Sequence, residues 1–208
     1  MKPRDPSPPL PPAVVLRRRA QLVLIALLFL GPLALSFWAY YGMTYRPAGR
    51  TNHGELIEPA RRLPDAILPT GPEARTTTAA LLRGHWSLIT IAERACEGPC
   101  RHALAATGIA RLALGGDVRR VERVLLVAGS CCVPVAAADE DLSAAWLEGP
   151  DGRGLLNEFP GEGEPGGRAG RVYVVDPLGN LLMRYPAGET GQGMLRDLEQ
   201  LLKLSHIG

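Results

Sequence analysis

From Ala20 to Tyr45 the chain carries no charged residue. Within that gap Leu22 to Tyr41 (LVLIALLFLGPLALSFWAYY) is almost wholly apolar, close to the ~20 residues that a helix needs to cross a bilayer. A helix lying on a globular core would show a polar face, and this one does not. Trp38, Tyr40, Tyr41 and Tyr45 gather at its far end, where amphipathic rings settle among headgroups. Arg17, Arg18 and Arg19 stand just before it. The positive-inside rule then places the N-terminus in the cytoplasm and everything beyond Tyr45 on the other face. Ala34-Leu35-Ser36 is a passable cleavage site for a signal peptide. The apolar stretch, however, exceeds the ~7–15 residues of an ordinary signal core and ends in an aromatic belt. A retained single-pass anchor is therefore expected, with Pro32 tolerated inside it.

The span divides the chain. Residues 1–19 read as a basic, disordered cytoplasmic tail, with six prolines between Met1 and Pro12. Residues 20–45 are the anchor. Residues 46–82 are punctuated by Pro and Arg and read as a tether, with a short apolar element at Gly54 to Ile57. Residues 83–208 remain for one domain. The formal net charge of +2 gives a nucleic-acid partner no electrostatic support.

In the domain Trp86 to Ala92 is an apolar run of strand length, and Pro99 to Leu114 has helical periodicity, with Pro99 in its first turn. That periodicity turns Ala103, Leu104, Ala106, Ile109, Ala110, Leu112 and Ala113 inward and leaves Arg101, His102, Thr107 and Arg111 to water. Gly115-Gly116 stops the helix, and Val124 to Ala128 is a second buried strand. Asp141 to Glu148 reads as a short helix. Gly149 to Gly170 holds eight glycines and three prolines and reads as a long loop with one short element at Leu155 to Phe159. Arg171 to Asp176 and Leu181 to Tyr185 form a hairpin across Pro177-Leu178-Gly179-Asn180. Met194 to Leu204 closes the chain as an amphipathic helix. Strands alternating with helices argue for a sheet with a parallel centre, and the hairpin adds antiparallel strands.

The chemistry gathers at Cys96-Glu97-Gly98-Pro99-Cys100, directly after the first buried strand. If the helix begins near Pro99, both sulfurs stand at its N-terminus, where free N–H groups and the dipole favour thiolate. Arg101 and His102 add positive charge and Glu97 opposes it. Cysteines four apart on a turn reach disulfide distance, and two thiolates also suit a soft ion such as Cu(I) or zinc. A disulfide across so short a loop removes little chain entropy, so a purely structural link would be a poor staple. Cys96 is expected to be the more exposed sulfur. Cys131 and Cys132 follow the second strand, at the same sheet edge as the first pair. They are read as an accessory thiol pair or as two small buried residues. All four cysteines lie on the exported side, where disulfides persist.

The single N-terminal anchor, the segment GHWSLITIAERACEGPC and the hairpin VYVVDPLGNLLMRYPAG resemble the Sco/SenC branch of the thioredoxin superfamily, across most of Arg83 to Gly208. The Leu195 to Leu204 helix matches more weakly. The resemblance implies an α/β thioredoxin-like domain with a central mixed sheet and flanking helices behind one transmembrane helix. It also implies a periplasm-facing protein of the bacterial inner membrane that serves cytochrome c oxidase biogenesis. Copper would be held by Cys96 and Cys100 and passed to an oxidase subunit or another copper or thiol protein. The family's third ligand is a histidine shortly before the hairpin, and the corresponding place here is about Arg168. No histidine occurs between His102 and His206, which disfavours Cu(II) and leaves a two-sulfur Cu(I) site. The alternative is a membrane-tethered thiol–disulfide oxidoreductase, with Cys96 attacking and Cys100 resolving. An assembly scaffold with vestigial thiols is the third class. His102, two residues past Cys100, would point away from that sulfur, and His53, His85 and His206 lie elsewhere.

Overall fold

A computed structural model describes residues 12–42, 52–71, 73–93, 95–129, 139–161, 163 and 167–205. The chain divides into two units, Met1–Arg50 and Thr51–Gly208. In the first, helix α1 runs Pro12–Gly42 through Pro32. Within its segment Leu16–Trp38 an 18-residue window has a mean hydropathy of 2.2 and none of it is buried, so the helix is long and apolar enough to cross a membrane. Phe37 and Tyr41 pack one turn apart near its end, with tilted rings whose centroids are 4.5 Å apart.

The second unit is built on a six-stranded sheet. In chain order the strands are β1 (Glu55–Arg62), β4 (Trp86–Ala92), β5 (Val121–Val127), β6 (Leu142–Trp146), β7 (Val172–Val175) and β8 (Asn180–Tyr185). Their spatial order is β1-β8-β7-β4-β5-β6. A separate two-stranded ribbon pairs β2 (Ile67–Pro69) with β3 (Arg75–Thr77). The centre is parallel, with Trp86 opposite Val121 and Ala92 opposite Val127. The β7–β8 hairpin adds antiparallel strands, Ile89 pairing with Tyr173. This is the mixed thioredoxin-like sheet expected from the alternation of elements.

Side chains alternate along β4, so each face has its own core. Ile89 and Ile91 join Val124, Leu126, Leu155, Phe159 and Tyr173 on one face, under helices α2 (Thr78–Leu82) and α4 (Gly149–Glu158). Trp86 and Leu88 join Ala103, Ala106, Ala110, Met194 and Leu198 on the other, under α3 (Gly98–Ala113) and α5 (Gln192–Leu204). A third cluster holds Ala92, Leu104, Leu125, Val127 and both Cys96 and Cys100. The sulfurs are thus part of the packed interior at one end of the sheet.

Several expectations are corrected. Asp141 to Glu148 is not a helix: Leu142–Trp146 is a strand beside β5, with Arg123 opposite Leu142 and Val127 opposite Trp146. Its alanines carry helical propensity, but parallel pairing overrides it. The Gly-rich stretch after Glu148 opens with a ten-residue helix, Pro150 near its first turn. Within residues 46–82, read as a tether partly ordered against the domain, residues 55–82 supply β1 at the sheet edge, the β2–β3 ribbon and α2. Thr107, read as facing water, is buried and accepts from Arg123 Nε at 3.2 Å, while Ile109 and Leu112 are exposed. The helix is rotated toward Arg123, whose guanidinium also donates to Leu104 O and Asp139.

Candidate functional site

Strand β4 is buried along its whole length and fixes where the next residues emerge. Past Ala92 the chain turns, Glu97 N–H donating to Ala95 O at 3.0 Å and Cys100 N–H to Glu97 O at 2.9 Å. Glu97 is the cap of α3, with Pro99 in the first turn, where a missing N–H leaves nothing unsatisfied. Cys96 therefore sits just ahead of the helix and Cys100 within its first turn. The two are joined by a disulfide, with Cα atoms 5.1 Å apart. Arg101 Nε donates to Cys96 O at 3.2 Å, fastening the loop to the helix.

Each cysteine is 4 % exposed, so the expectation that Cys96 is the more exposed sulfur is corrected. Both residues face the cluster of Leu104, Leu125 and Val127. Beside them opens a cleft of about 590 Å3, walled by Ala92, Glu93, Pro99, Cys100, Gly167 and Ala169. Its far wall is the loop after α4. Gly170 has φ +72°, and a Cβ there would stand 2.6 Å from Pro99 Cβ and 2.9 Å from Pro99 O. Only glycine lets this loop press so closely on the first turn of α3.

That contact brings Arg168 to the site. The position singled out for lacking a histidine holds a guanidinium that is 5 % exposed. Its Nε donates to Phe159 O at 2.8 Å, and its Nη1 meets Glu93 Oε1 at 2.9 Å. Glu93 follows β4 directly, so the ion pair links the strand's end to the loop across the cleft. Sequence reading placed Arg168 by alignment with the hairpin but missed Glu93. The available signal was an acid immediately after a buried strand, opposite an arginine in a glycine-rich loop.

The histidines lie elsewhere. His53 Nδ1 is 3.1 Å from Asp197 Oδ1. His85 Nε2 is 3.1 Å from both Leu81 O and Glu122 Oε2. His102 is exposed on α3. His206 lies outside the described residues, as do Cys131 and Cys132. Among the described residues no three His, Cys, Asp or Glu side chains come together to hold a metal. The donors at the site are two sulfurs, and the cleft wall carries Glu97 and Glu93, the latter paired with Arg168.

A second polar constellation lies away from the cleft. Asp197, 3 % exposed on α5, accepts from His53 N–H at 2.9 Å, Gly54 N–H at 2.9 Å and the Tyr185 hydroxyl at 2.9 Å. Burial alone would raise its pKa. The Gly54, His53 and Tyr185 hydrogen bonds outweigh that and hold the carboxyl below its ordinary value. Burial, and then the Asp197 charge, push Tyr185 far above the usual phenol range. The cluster pins the segment that leads into β1.

A mixed sheet with a dithiol pair at the N-terminus of the helix after its central strand defines a thioredoxin-like protein. The family profile for a transmembrane-like, thioredoxin-like, C-terminal domain matches residues 86–205, and the chain belongs to that family. Among solved structures it is similar to apo Sco1 of Thermus thermophilus, at 18 % identity over 74 % of this chain and 99 % of that one, with a TM-score of 0.55. Yeast Sco1 with copper bound gives 12 % identity over 70 % of this chain and 90 % of that one, at a TM-score of 0.55. BsSco, a Sco-family cytochrome c oxidase assembly protein with a disulfide switch, gives 14 % over 72 % and 96 %, at a TM-score of 0.50. The fold is thus that of the Sco proteins. Comparison with curated protein sequences finds no match.

Proposed function

We propose that this chain is an anchored, Sco-like factor of cytochrome c oxidase biogenesis that works by thiol–disulfide exchange through Cys96 and Cys100. The observation that carries this reading is the bonded Cys96–Cys100 pair at the start of α3, beside a cleft whose wall includes Glu93, the partner of the buried Arg168. In the reduced protein the Cys96 thiolate attacks an acceptor disulfide, forming a mixed disulfide and releasing one acceptor sulfur as thiolate. The Cys100 thiolate then attacks Cys96 Sγ, closing the internal bond and freeing the second acceptor sulfur. The acceptor gains two electrons and the pair loses two, so a dithiol reductant on the exported side must restore it. The acceptor is a copper-receiving subunit whose cysteines must be reduced before metal enters. The domain over 83–208 faces the periplasm from the bacterial inner membrane, behind the anchor at 20–45.

Carriage of Cu(I) as cargo is the second reading, favoured by the likeness to yeast Sco1 with copper bound. Two thiolates are the donors a soft monovalent ion prefers. Cu(II), which favours imidazole nitrogen, has no such donor beside the sulfurs among the described residues. Two measurements on the reduced full-length protein decide between the readings. One follows reduction of a disulfide peptide that carries the two-cysteine sequence of an oxidase copper site. The other is a Cu(I) titration against a competing chelator. Exchange lost in Cys96→Ser without competitive copper binding supports the oxidoreductase, and one-to-one binding lost in the same variant supports the carrier. A protein that does neither is a scaffold.

A further inference from the structure

Three charged side chains are buried among the described residues: Arg123, Arg168 and Asp197. Arg123 ties β5 to α3, and Asp197 pins the segment before β1. Arg168 lies between Gly167 and Ala169, which line the thiol cleft, and pairs with Glu93 on the cleft wall. We propose that Arg168, held by Glu93, is the positioning residue that sets the charge of the Cys96–Cys100 site, stabilising its anionic two-sulfur states and rejecting a divalent cation. This rests on the thiol chemistry proposed above.

The disulfide is neutral. Reduction by two electrons gives two thiolates, and a Cu(I) ion between them leaves the site at a net charge of −1. Either state gains from a fixed cation nearby, because the packed surroundings screen charge less than water does. Arginine suits this role, since it keeps its proton in proteins and its planar fork can hold two partners in fixed geometry. Here those partners are Phe159 O at 2.8 Å and Glu93 Oε1 at 2.9 Å. Gly167 and Ala169, on either side of it in sequence, line the same cleft as Cys100. The Gly170–Pro99 approach sets the loop's distance from α3. Glu93 moderates the cation, so its removal and the removal of Arg168 must act in opposite directions. A Cu(II) ion would meet the guanidinium's charge without imidazole to compensate.

The test uses the full-length protein in detergent, equilibrated with dithiothreitol redox buffers at pH ~9.5, above the ordinary cysteine value of about 8.5, so that charge rather than protonation is compared. Arg168→Gln is expected to favour the disulfide about tenfold over wild type, equivalent to about 30 mV. Glu93→Gln, which retains Arg168 and its bond to Phe159 O, should move the equilibrium several-fold toward the dithiol. Arg168→Lys should restore most of the wild-type constant. Shifts of opposite sign support the proposal. Shifts of the same sign, or none, overturn it, because loss of packing alone has no reason to distinguish the two charges. If Arg168→Gln does not fold, Glu93→Gln decides alone, an unmoved or reversed constant overturning the proposal. A wild-type pair that fails to equilibrate at all removes the exchange reading and this inference with it.

Discussion

Cys96 and Cys100 are equally buried, so what separates their roles is their place in the chain. Cys96 precedes the helix, and Cys100 belongs to its first turn, one residue past Pro99. A resolving sulfur must be held while the other is engaged, which suits Cys100. Cys100→Ser is therefore expected to trap a mixed disulfide with the acceptor, visible as a thiol-sensitive band on a non-reducing gel, whereas Cys96→Ser traps none. The reverse pattern would exchange the two roles. Asp197 supports a second prediction at this scale. Its folded carboxyl titrates below its unfolded value, so its contribution is present above the unfolded pKa and is lost as pH falls through the folded one. The melting temperature of the wild type should drop on acidification below about pH 4. Asp197→Ala, which leaves two backbone N–H groups and the Tyr185 hydroxyl without their acceptor, should cost about 3 kcal/mol at neutral pH. It should also flatten this acid dependence, and a variant that loses stability with unchanged pH dependence would count against the assignment.

At the scale of elements, legibility followed burial and pattern. Trp86–Ala92 was readable to the residue because a fully buried strand is a continuous apolar run. The start of α3 was readable from Gly-Pro beside Cys100. Strand β6 was not, since Leu-Ser-Ala-Ala-Trp has no strand signature and depends on pairing with Val124 to Val127. Strand β1 escaped because Glu-Leu-Ile-Glu-Pro-Ala-Arg-Arg is mostly exposed at a sheet edge, and α4 because its glycines mimic a loop. The site was legible as two cysteines and a missing histidine. Glu93 carried only the mark of an acid directly after a buried strand, and its pairing with Arg168 was not legible, because only the fold brings the two together across 75 residues. The loop that makes this meeting offers an element-scale test. Gly170→Ala must adopt a positive φ and clash with Pro99, whereas Gly188, at φ +90°, has open space around its Cβ position. Thermal or denaturant unfolding should show a loss of about 3 kcal/mol for Gly170→Ala against about 1 kcal/mol for Gly188→Ala. Equal losses would mean that the loop does not bear on α3 as described.

For the whole molecule the question is on which side of the membrane the sulfurs work. The apolar stretch Leu22–Tyr41 extends about 30 Å as a helix, matching a hydrocarbon core of about 30 Å. Arg17, Arg18 and Arg19 stand at one end, and no charged residue follows before Arg46. By the positive-inside rule that asymmetry predicts an N-terminus inside and the sheet on the far side. Disulfide exchange needs the same side, because cytosolic reductants keep thiols open. An export-dependent phosphatase fused after Gly208 should therefore be active in bacterial cells, and a reporter that works only in the cytosol should be silent there. Replacing Arg17, Arg18 and Arg19 by glutamate should reduce the phosphatase signal several-fold by weakening the orientation signal while leaving the apolar span intact. Phosphatase activity that ignores the arginines would show that something other than flanking charge orients the anchor. A silent phosphatase beside an active cytosolic reporter would leave Cys96 and Cys100 among reducing thiols, and a thiol factor for an exported copper site could not act from there.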